Sequence, residues 1–415
     1  MTSPGSLIYD WNRVDLPARP REVMLDDETL RDGLQSPSVR CPTIEEKLRI
    51  LHLIDRLGID TADIGLPGAG PHVVQDVERL AREIADQRLK VKANCAARTV
   101  IADIKPIAEI SQRVGMPIEC CAFIGSSPLR QYAEGWSLDQ LLKLTEEAVS
   151  FAVREGLPVM YVTEDTTRAD PETLRRLYAA AIRAGASRVC VADTVGHATP
   201  PGAAAVVKFV VRVVDECGGG VGIDWHGHRD RDFAVINTLA ALDAGATRLH
   251  GAAIGIGERV GNTPMDTLLV NLVLMGYIER DLSSLGEYCR VVSEATGVPI
   301  PANYPVVGKD AFRTATGVHA AAVIKAFRKN DMALVDAVYS GVPASLVGRE
   351  QEVEVGPMSG RSNVVFWLER RGLSADDAVV DRIFARAKAS PCVLTEGDIL
   401  RELSPSGSID QPRRA

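Results

Sequence analysis

The sequence has no apolar run of eighteen residues, no cysteines in CxxC spacing and no excess of basic charge. The first absence excludes a helical membrane span. The eight cysteines therefore predict reduced thiols in a cytoplasmic protein, and neither a disulfide framework nor a zinc knuckle. A formal net charge of −8 argues against a nucleic-acid partner. Residues 1–21 are polar and lack the apolar segment of a signal peptide, so we expect an extended N-terminal arm.

From residue 22 onward, short apolar runs alternate with longer segments of helical period. This alternation is typical of βα units in a parallel sheet. Eight such units in roughly 260 residues fit a (β/α)8 barrel, whereas a doubly wound open sheet rarely has so many even repeats. We therefore predict an α/β fold with a catalytic TIM barrel at 22–277. The predicted strands lie near residues 23–25, 58–64, 89–95, 117–124, 158–162, 187–192, 221–225 and 247–254.

Two helix starts carry the pattern of a capping box, in which a hydroxyl side chain is followed three residues later by Glu or Gln. They are Thr43 with Glu46, and Ser137 with Gln140. Residues 126–136, between the fourth strand and the second of these helices, are predicted to form a long loop.

Polar and charged residues follow the predicted strands at their carboxyl ends. They are Arg31 and Asp32 after the first strand, Glu164 after the fifth, Asp193 and Thr194 after the sixth, His226 and His228 after the seventh, and 258–262 after the eighth. Active sites of TIM barrels are built at this end of the strands. We therefore expect these side chains to form one site.

His226 and His228 stand at positions i and i+2, so on an extended strand both side chains point to the same side. Asp32 follows the first strand, which closure of the barrel brings near the seventh. Two histidines and one carboxylate are a common ligand set for Zn, Mn, Mg, Co or Fe, with positions left open for substrate. A pair of hydrogen-bonded histidines at the barrel rim is the alternative. Asp27 and Glu28 are interpreted as structural.

The glycine-rich run at 255–262 is weak as a phosphate-binding motif, because a bare G-x-G is common. It would place backbone N–H groups and Arg259 beside the metal, where an anionic cofactor tail would bind. A tight turn is the alternative.

Three motifs together resemble the DRE-TIM metallolyase superfamily: Asp-Glu-Thr-Leu-Arg-Asp-Gly at 27–33, His-Gly-His at 226–228 and Gly-Ile-Gly-Glu-Arg-Val-Gly-Asn at 255–262. More narrowly, they are similar to its Claisen-condensing branch of 2-isopropylmalate, homocitrate and citramalate synthases. The resemblance extends to about residue 375. It implies a linker and small, mostly helical subdomain at 278–375. A helical segment and polar tail at 376–415 would then leave no room for a regulatory domain.

The resemblance implies that acetyl-CoA condenses with an α-keto acid to give a 2-alkylmalate and CoA in a domain-exchanged homodimer. The metal ligands would be Asp32, His226, His228 and Asn262. The catalytic residues would be Arg31 for the developing alkoxide, Glu164 for substrate contact or proton transfer, and His319 as base assisted by Tyr339, both acting in the partner subunit. Substrate would also bind Thr194 and Arg31, and acetyl-CoA would bind Gly255, Gly257, Glu258, Arg259 and Asn262.

The sequence departs from this branch at three places. Arg229 stands where an asparagine is usual, Ala320-Ala321 replace a polar pair, and Cys120-Cys121 occupy a strand that often carries a histidine. These changes indicate a roomier or less polar pocket. A 2-ketoisovalerate-like substrate is the first expectation, with a bulkier or aromatic keto acid, or a homocitrate, benzylmalate or citramalate synthase, as alternatives.

A 3-hydroxy-3-methylglutaryl-CoA lyase is a further alternative, because these lyases share Arg-Asp-Gly-Leu-Gln, here at 31–35. They depend on a cysteine in the loop after the last strand, which 255–262 lacks. A non-catalytic binding protein is disfavoured by the intact set of candidate residues.

Overall fold

The computed structural model of the protein describes residues 7–12 and 23–403. The predicted N-terminal arm and polar tail therefore lie mostly outside the described residues. The chain divides into two compact units, one spanning Val14–Ile300 and the other formed by Met1–Arg13 with Pro301–Ala415.

The first unit is a closed barrel of eight parallel strands in sequence order, which confirms the predicted fold class. The strands are β1 Met24–Asp27, β2 Thr61–Asp63, β3 Lys92–Arg98, β4 Glu119–Gly125, β5 Val159–Glu164, β6 Arg188–Asp193, β7 Gly222–Gly227 and β8 Arg248–Gly251. The helices of this unit are α1 Ile44–Arg56, α2 Pro71–Gln87, α3 Ile101–Val114, α4 Pro128–Glu134, α5 Leu138–Arg154, α6 Pro171–Arg183, α7 Pro200–Glu216, α8 Ala234–Ala244, α9 Met265–Leu274 and α10 Leu285–Thr296.

Strand β8 closes the barrel by pairing in parallel with β1, in a register that joins Met24 to Arg248 and Asp27 to Gly251. It also pairs with β7 on its other edge. The carboxyl ends of β1 and β7 therefore lie on either side of β8, which brings the segments that follow them together.

The capping box of α1 is confirmed, because the Thr43 hydroxyl accepts from the backbone N–H of Glu46 and the Glu46 side chain accepts from the N–H of Thr43. Ser137 caps α5 by accepting from the backbone N–H of Gln140. The long loop predicted at 126–136 was wrong, since α4 occupies most of it.

Helix α4 is built from local signals that the loop prediction overlooked. The Ser127 hydroxyl accepts from the Arg130 N–H, Pro128 stands at the first position, and Gly135 ends the helix with a φ of 70°. Proline costs nothing at this position because its missing N–H would be unpaired there anyway.

Two strands are shorter than predicted. Strand β2 spans only three of the residues predicted at 58–64. Strand β8 was expected to reach residue 254, but the chain leaves the sheet after Gly251 and forms a 3-10 turn at 253–255. Ile254 lies in that turn with a φ of 48°, which extended backbone cannot accommodate.

The second unit is mostly helical, as predicted. A two-stranded parallel sheet joins β9 Arg313–Thr314 to β10 Glu352–Val353. Its helices are α11 Gly317–Arg328, α12 Met332–Ala337, α13 Arg361–Arg370, α14 Asp377–Ala389 and α15 Glu396–Arg401. No helix in the described part of the chain is long and apolar enough to cross a membrane.

Asp27 ends β1 as a fully buried carboxyl group. Its Oδ1 accepts from the backbone N–H of Thr29 at 2.9 Å, and its Oδ2 accepts from the hydroxyl of Tyr288 in α10. Burial raises the pKa of Asp27 to about 7, although the hydrogen bonds from Tyr288 and Thr29 lower it in part. The folded protein therefore holds a proton that the unfolded chain releases near pH 4.

We expect Asp27→Asn to become more stable relative to the natural protein as pH rises. Between about pH 4 and 7, the unfolded chain ionises Asp27 while the folded chain keeps it protonated, so Asp27 costs stability over this window. The asparagine has no proton to lose, and the difference in unfolding free energy should grow by about 2–4 kcal/mol across it. Urea denaturation at pH 5, 6.5 and 8 measures this, and a difference independent of pH would contradict it.

Candidate active site

A cavity of about 340 Å³ opens where the predicted strand-end residues meet. Apolar residues from β3 to β6 line one side: Ala96, Cys121, Phe123, Met160, Val162 and Cys190. Histidine and carboxylate side chains from β7, β8 and the segment after β1 line the other: Glu28, Asp32, His226, His228 and His250. Apart from Glu164 at the end of β5, the cavity thus has an apolar half and a charged half.

Asp32, His226 and His228 converge in the charged half. Asp32 Oδ2 lies 3.2 Å from His226 Nε2 and 3.4 Å from His228 Nε2, and the two Nε2 atoms are 3.2 Å apart. Neighbouring ligands of an ion bound at about 2.1 Å lie about 3.0–3.4 Å apart in octahedral or tetrahedral geometry. These three donor atoms therefore fit one divalent metal ion.

Asn262 lies beside His228, to which it is joined by an isolated antiparallel β-bridge. Its Nδ2 donates to the carbonyl of Ile256 at 3.1 Å, whereas its buried Oδ1 has no hydrogen-bond partner among the described residues. An unpartnered buried oxygen is costly unless something binds it. This oxygen is a candidate fourth ligand.

The charges around this cluster favour a bound cation. Burial would raise the pKa of Asp32, but the positive charge of Arg31 and hydrogen bonds from His226 and His228 hold it well below its usual range. Burial likewise opposes a charge on His226, yet hydrogen bonds to Asp32 and Glu28 raise the pKa of this imidazole above its ordinary value. Positive charge is thus stabilised at this point of the cavity.

Arg31 is held in place by carboxylates. Its Nε donates to Asp63 Oδ2 at 2.7 Å and its Nη2 donates to Glu28 Oε2 at 2.5 Å, while its Nη1 lies 3.9 Å from Asp32 Oδ2. A guanidinium has five N–H donors, so these two hydrogen bonds leave others to bind an anionic oxygen in the cavity.

Glu164 and Thr194 both line the cavity. Burial raises the pKa of Glu164, although the charge of Arg130 opposes the shift. The Thr194 hydroxyl accepts from the backbone N–H of Asp165 at 2.8 Å, so its own hydrogen remains to be donated elsewhere.

The loop at 255–262 reaches the cavity through Glu258 and Arg259. Arg259 donates to Asp230 and to the carbonyl of Thr194. The loop turns so tightly that a Cβ on Gly261 would lie 1.7 Å from the carbonyl oxygen of Gly255. A tight turn therefore requires the glycine at position 261, and cofactor binding by Gly255 and Gly257 stays a prediction.

His319 and Tyr339 lie in the second unit, where their ring centroids are 4.4 Å apart. Both side chains are exposed. The structure therefore places the rings of these two predicted residues side by side in one chain.

Sequence reasoning missed His250 and treated Glu28 as structural. His250 Nδ1 lies 2.9 Å from Glu28 Oε1, and its Nε2 lies 2.9 Å from Asp224 Oδ2. Although burial opposes it, these carboxylates and Asp26 raise the pKa of His250 to about 10. The sequence did carry a sign of this buried charged group, because His250 stands in an apolar strand two residues after Arg248.

Cys121 and Cys190 in the apolar half pack with Met160. Burial raises the pKa of both thiols well above its usual range. All eight cysteines are unpaired, as predicted.

A family model described as HMGL-like matches residues 22–292. The chain belongs to the HMGL-like family. It is 33% identical over 373 residues to a probable 2-isopropylmalate synthase of Methanopyrus kandleri, covering 89% of this chain and 70% of the relative. It is 35% identical over 374 residues to the homocitrate synthase AksA of the same organism, covering 89% and 88%. The resemblance to the DRE-TIM superfamily is confirmed.

Solved structures share the barrel. The HMG-CoA lyase of Bacillus subtilis superposes with a TM-score of 0.58 at 21% identity, covering 69% of this chain and 97% of that structure. At this identity the match supports the fold alone.

We expect Asp32→Asn to weaken the binding of Mn²⁺ to the metal-free protein by more than about 100-fold, because it removes the anionic oxygen shared by both histidines. Isothermal titration calorimetry measures the dissociation constant. Asp230→Asn is the matched control, since Asp230 binds Arg259 at the same rim and lies outside the cluster. Equal affinities of the two variants would contradict the metal assignment.

Proposed function

We propose that this protein condenses acetyl-CoA with an α-keto acid of apolar side chain, giving a 2-alkylmalate and free CoA. The observation that carries the proposal is one cavity in which Asp32, His226 and His228 converge beside Arg31 and face an apolar lining. The similarity to proteins named 2-isopropylmalate and homocitrate synthases supports this reaction class.

Asp32, His226, His228 and Asn262 would hold a divalent metal (Zn, Mn, Mg or Co), which when bound supplies Lewis-acid polarisation of a keto carbonyl. Arg31, fixed by Glu28 and Asp63, donates to the keto oxygen as it becomes an alkoxide. This preorganised donor requires no rearrangement during the reaction.

Thr194 donates its free hydroxyl hydrogen to the carboxylate of the keto acid. Glu164 binds the substrate or carries a proton, and burial raises the pKa of its carboxyl group. Acetyl-CoA binds along the loop at 255–262, with Arg259 beside its anionic part.

A base must take a methyl proton from the acetyl thioester. In a domain-exchanged homodimer the partner's His319, oriented by the partner's Tyr339, fills this role. The methyl carbon then forms the bond to the keto carbon, and water cleaves the thioester to release CoA.

The charges in the cavity favour a keto acid with one carboxylate. Among the described residues that line it, the arginines are Arg31, which would bind the keto oxygen, and Arg259, which would bind the anionic part of acetyl-CoA, so neither is left for a second carboxylate. A second carboxylate on the substrate would meet the apolar lining from β3 to β6, where it would be desolvated without a partner.

We expect 2-ketoisovalerate to be turned over with a kcat/KM at least about 100-fold above that of 2-ketoglutarate, because a buried unpaired carboxylate is rejected strongly. Pyruvate and phenylpyruvate are tested as well, because their side chains are smaller and larger than that of 2-ketoisovalerate. Release of free thiol from acetyl-CoA measures turnover.

No thiol release with any of these keto acids would contradict the condensation. Cleavage of 3-hydroxy-3-methylglutaryl-CoA by the same preparation would then identify a lyase. A preference for 2-ketoglutarate would contradict the apolar side chain and leave the condensation standing.

We expect Arg31→Ala and His319→Ala to be inactive alone and to recover about a quarter of the natural activity when their subunits are mixed in equal amounts. Half of the randomly formed dimers then contain one chain of each kind, with one of two sites intact. Activity after co-expression measures this. The double variant Arg31→Ala/His319→Ala, mixed with the natural chain, is the control for subunit exchange. No recovery in the mixture of single variants would place His319 in its own subunit's site, whereas activity of His319→Ala alone would place it outside catalysis.

A further inference from the structure

Glu28 is buried between three groups of the candidate active site. Its Oε1 lies 3.3 Å from His226 Nδ1 and 2.9 Å from His250 Nδ1. Its Oε2 accepts from Arg31 Nη2 at 2.5 Å. One carboxylate therefore contacts both a candidate metal ligand and the candidate alkoxide-binding arginine.

Glu28, His226 and His250 also offer atoms close enough together to hold a second metal ion. The partners of His250 argue against this. Each of its ring nitrogens faces a carboxylate oxygen at 2.9 Å, one from Glu28 and one from Asp224. Both nitrogens thus act as N–H donors, and neither presents a lone pair to a metal.

The two nitrogens of His226 have different surroundings. Nε2 faces Asp32 Oδ2 and His228 Nε2, both at 3.2 Å, whereas Nδ1 faces Glu28. When Nδ1–H donates to a carboxylate, the lone pair lies on Nε2, where a metal would bind. Glu28 thereby favours the tautomer of His226 with its proton on Nδ1, which leaves Nε2 free to bind a metal, and it fixes the plane of the ring.

A second row of charges fixes Glu28 in turn. His250 joins it to Asp224, and Asp224 accepts from Arg188 Nε at 2.6 Å and from Arg248 Nε at 2.5 Å. The carboxylate of Glu28 is thus held through His250 by Asp224, Arg188 and Arg248, which are not among the residues that line the cavity.

We propose that Glu28 is a positioning residue, which through its two oxygens orients His226 for metal binding and Arg31 for the substrate, and which is itself held by His250 and Asp224. The proposal rests on the metal site of the proposed function, and it is independent of which keto acid reacts.

An amide cannot replace this carboxylate. If the oxygen of a glutamine faces His226 and His250, its NH₂ group opposes the N–H groups of Arg31; if the amide is flipped, the NH₂ group opposes both imidazoles. Either orientation places two donors against each other. Glu28→Gln should therefore disturb the site although it preserves the volume of the side chain.

The test is titration of metal-free protein with Co²⁺, whose visible absorption reports the coordination of the bound ion. We expect Glu28→Gln to bind Co²⁺ about 10–100-fold more weakly than the natural protein, with altered absorption bands. Glu28→Asp, which keeps the charge on a shorter side chain, should recover part of the affinity. If Glu28→Gln fails to fold, the Co²⁺ affinity of Glu28→Asp still tests the proposal.

Glu119→Gln is the matched control. Glu119 is a carboxylate of the same barrel interior that accepts from Arg248 Nη2 at 2.7 Å, and among the described residues it contacts neither His226 nor Arg31. Its variant should bind Co²⁺ within about threefold of the natural protein, since it leaves the ligands and their direct partners intact.

Glu28→Gln binding Co²⁺ within threefold of the natural protein, with the same absorption bands, would overturn the proposal. An equal loss in Glu119→Gln would also overturn it, because the effect would then come from interior charge in general. A natural protein without Asp32-dependent Co²⁺ binding would refute the metal site and this proposal with it. Absence of keto-acid turnover alone would refute only the condensation.

Discussion

Pairing of β8 with β1 is the constraint on which the site depends. Asp32 and His226 are separated by almost 200 positions in the sequence, and only closure of the barrel brings the segment after β1 to the end of β7. An open sheet with the same strands would leave them on strands far apart. In the closed barrel the three donor atoms lie 3.2–3.4 Å apart.

Closure also concentrates charge inside the barrel, where an unpaired ion would be very costly. In this structure, buried groups of opposite charge alternate, so that each one has a counter-charge beside it. Arg188 and Arg248 flank Asp224, His250 separates Asp224 from Glu28, and Arg31 follows on the other side of Glu28. Removing one member leaves its neighbours buried without a counter-charge, so the site and its support are energetically one network.

The strands, their order and the residues at their carboxyl ends could be predicted from the sequence, because apolar period and strand-end polarity are local signals. Asp32, His226 and His228 followed from that pattern. The link between Glu28 and His250 could not, since it depends on which side chains of neighbouring strands meet inside the barrel. The end of β8 could not be predicted either, because it is set by a turn in which Ile254 adopts a positive φ. Isoleucine rarely adopts this conformation, so its presence in the sequence does not indicate such a turn.

Cys121 and Cys190 give the cavity a chemical property beyond its apolar character. A thioester is readily attacked by a thiolate, and both cysteines line the space in which the proposed substrate would sit. Because burial raises the pKa of both groups, they remain thiols at neutral pH and are poor nucleophiles. If the acetyl thioester of the proposed reaction met these two side chains in the cavity, they would therefore remain unacylated.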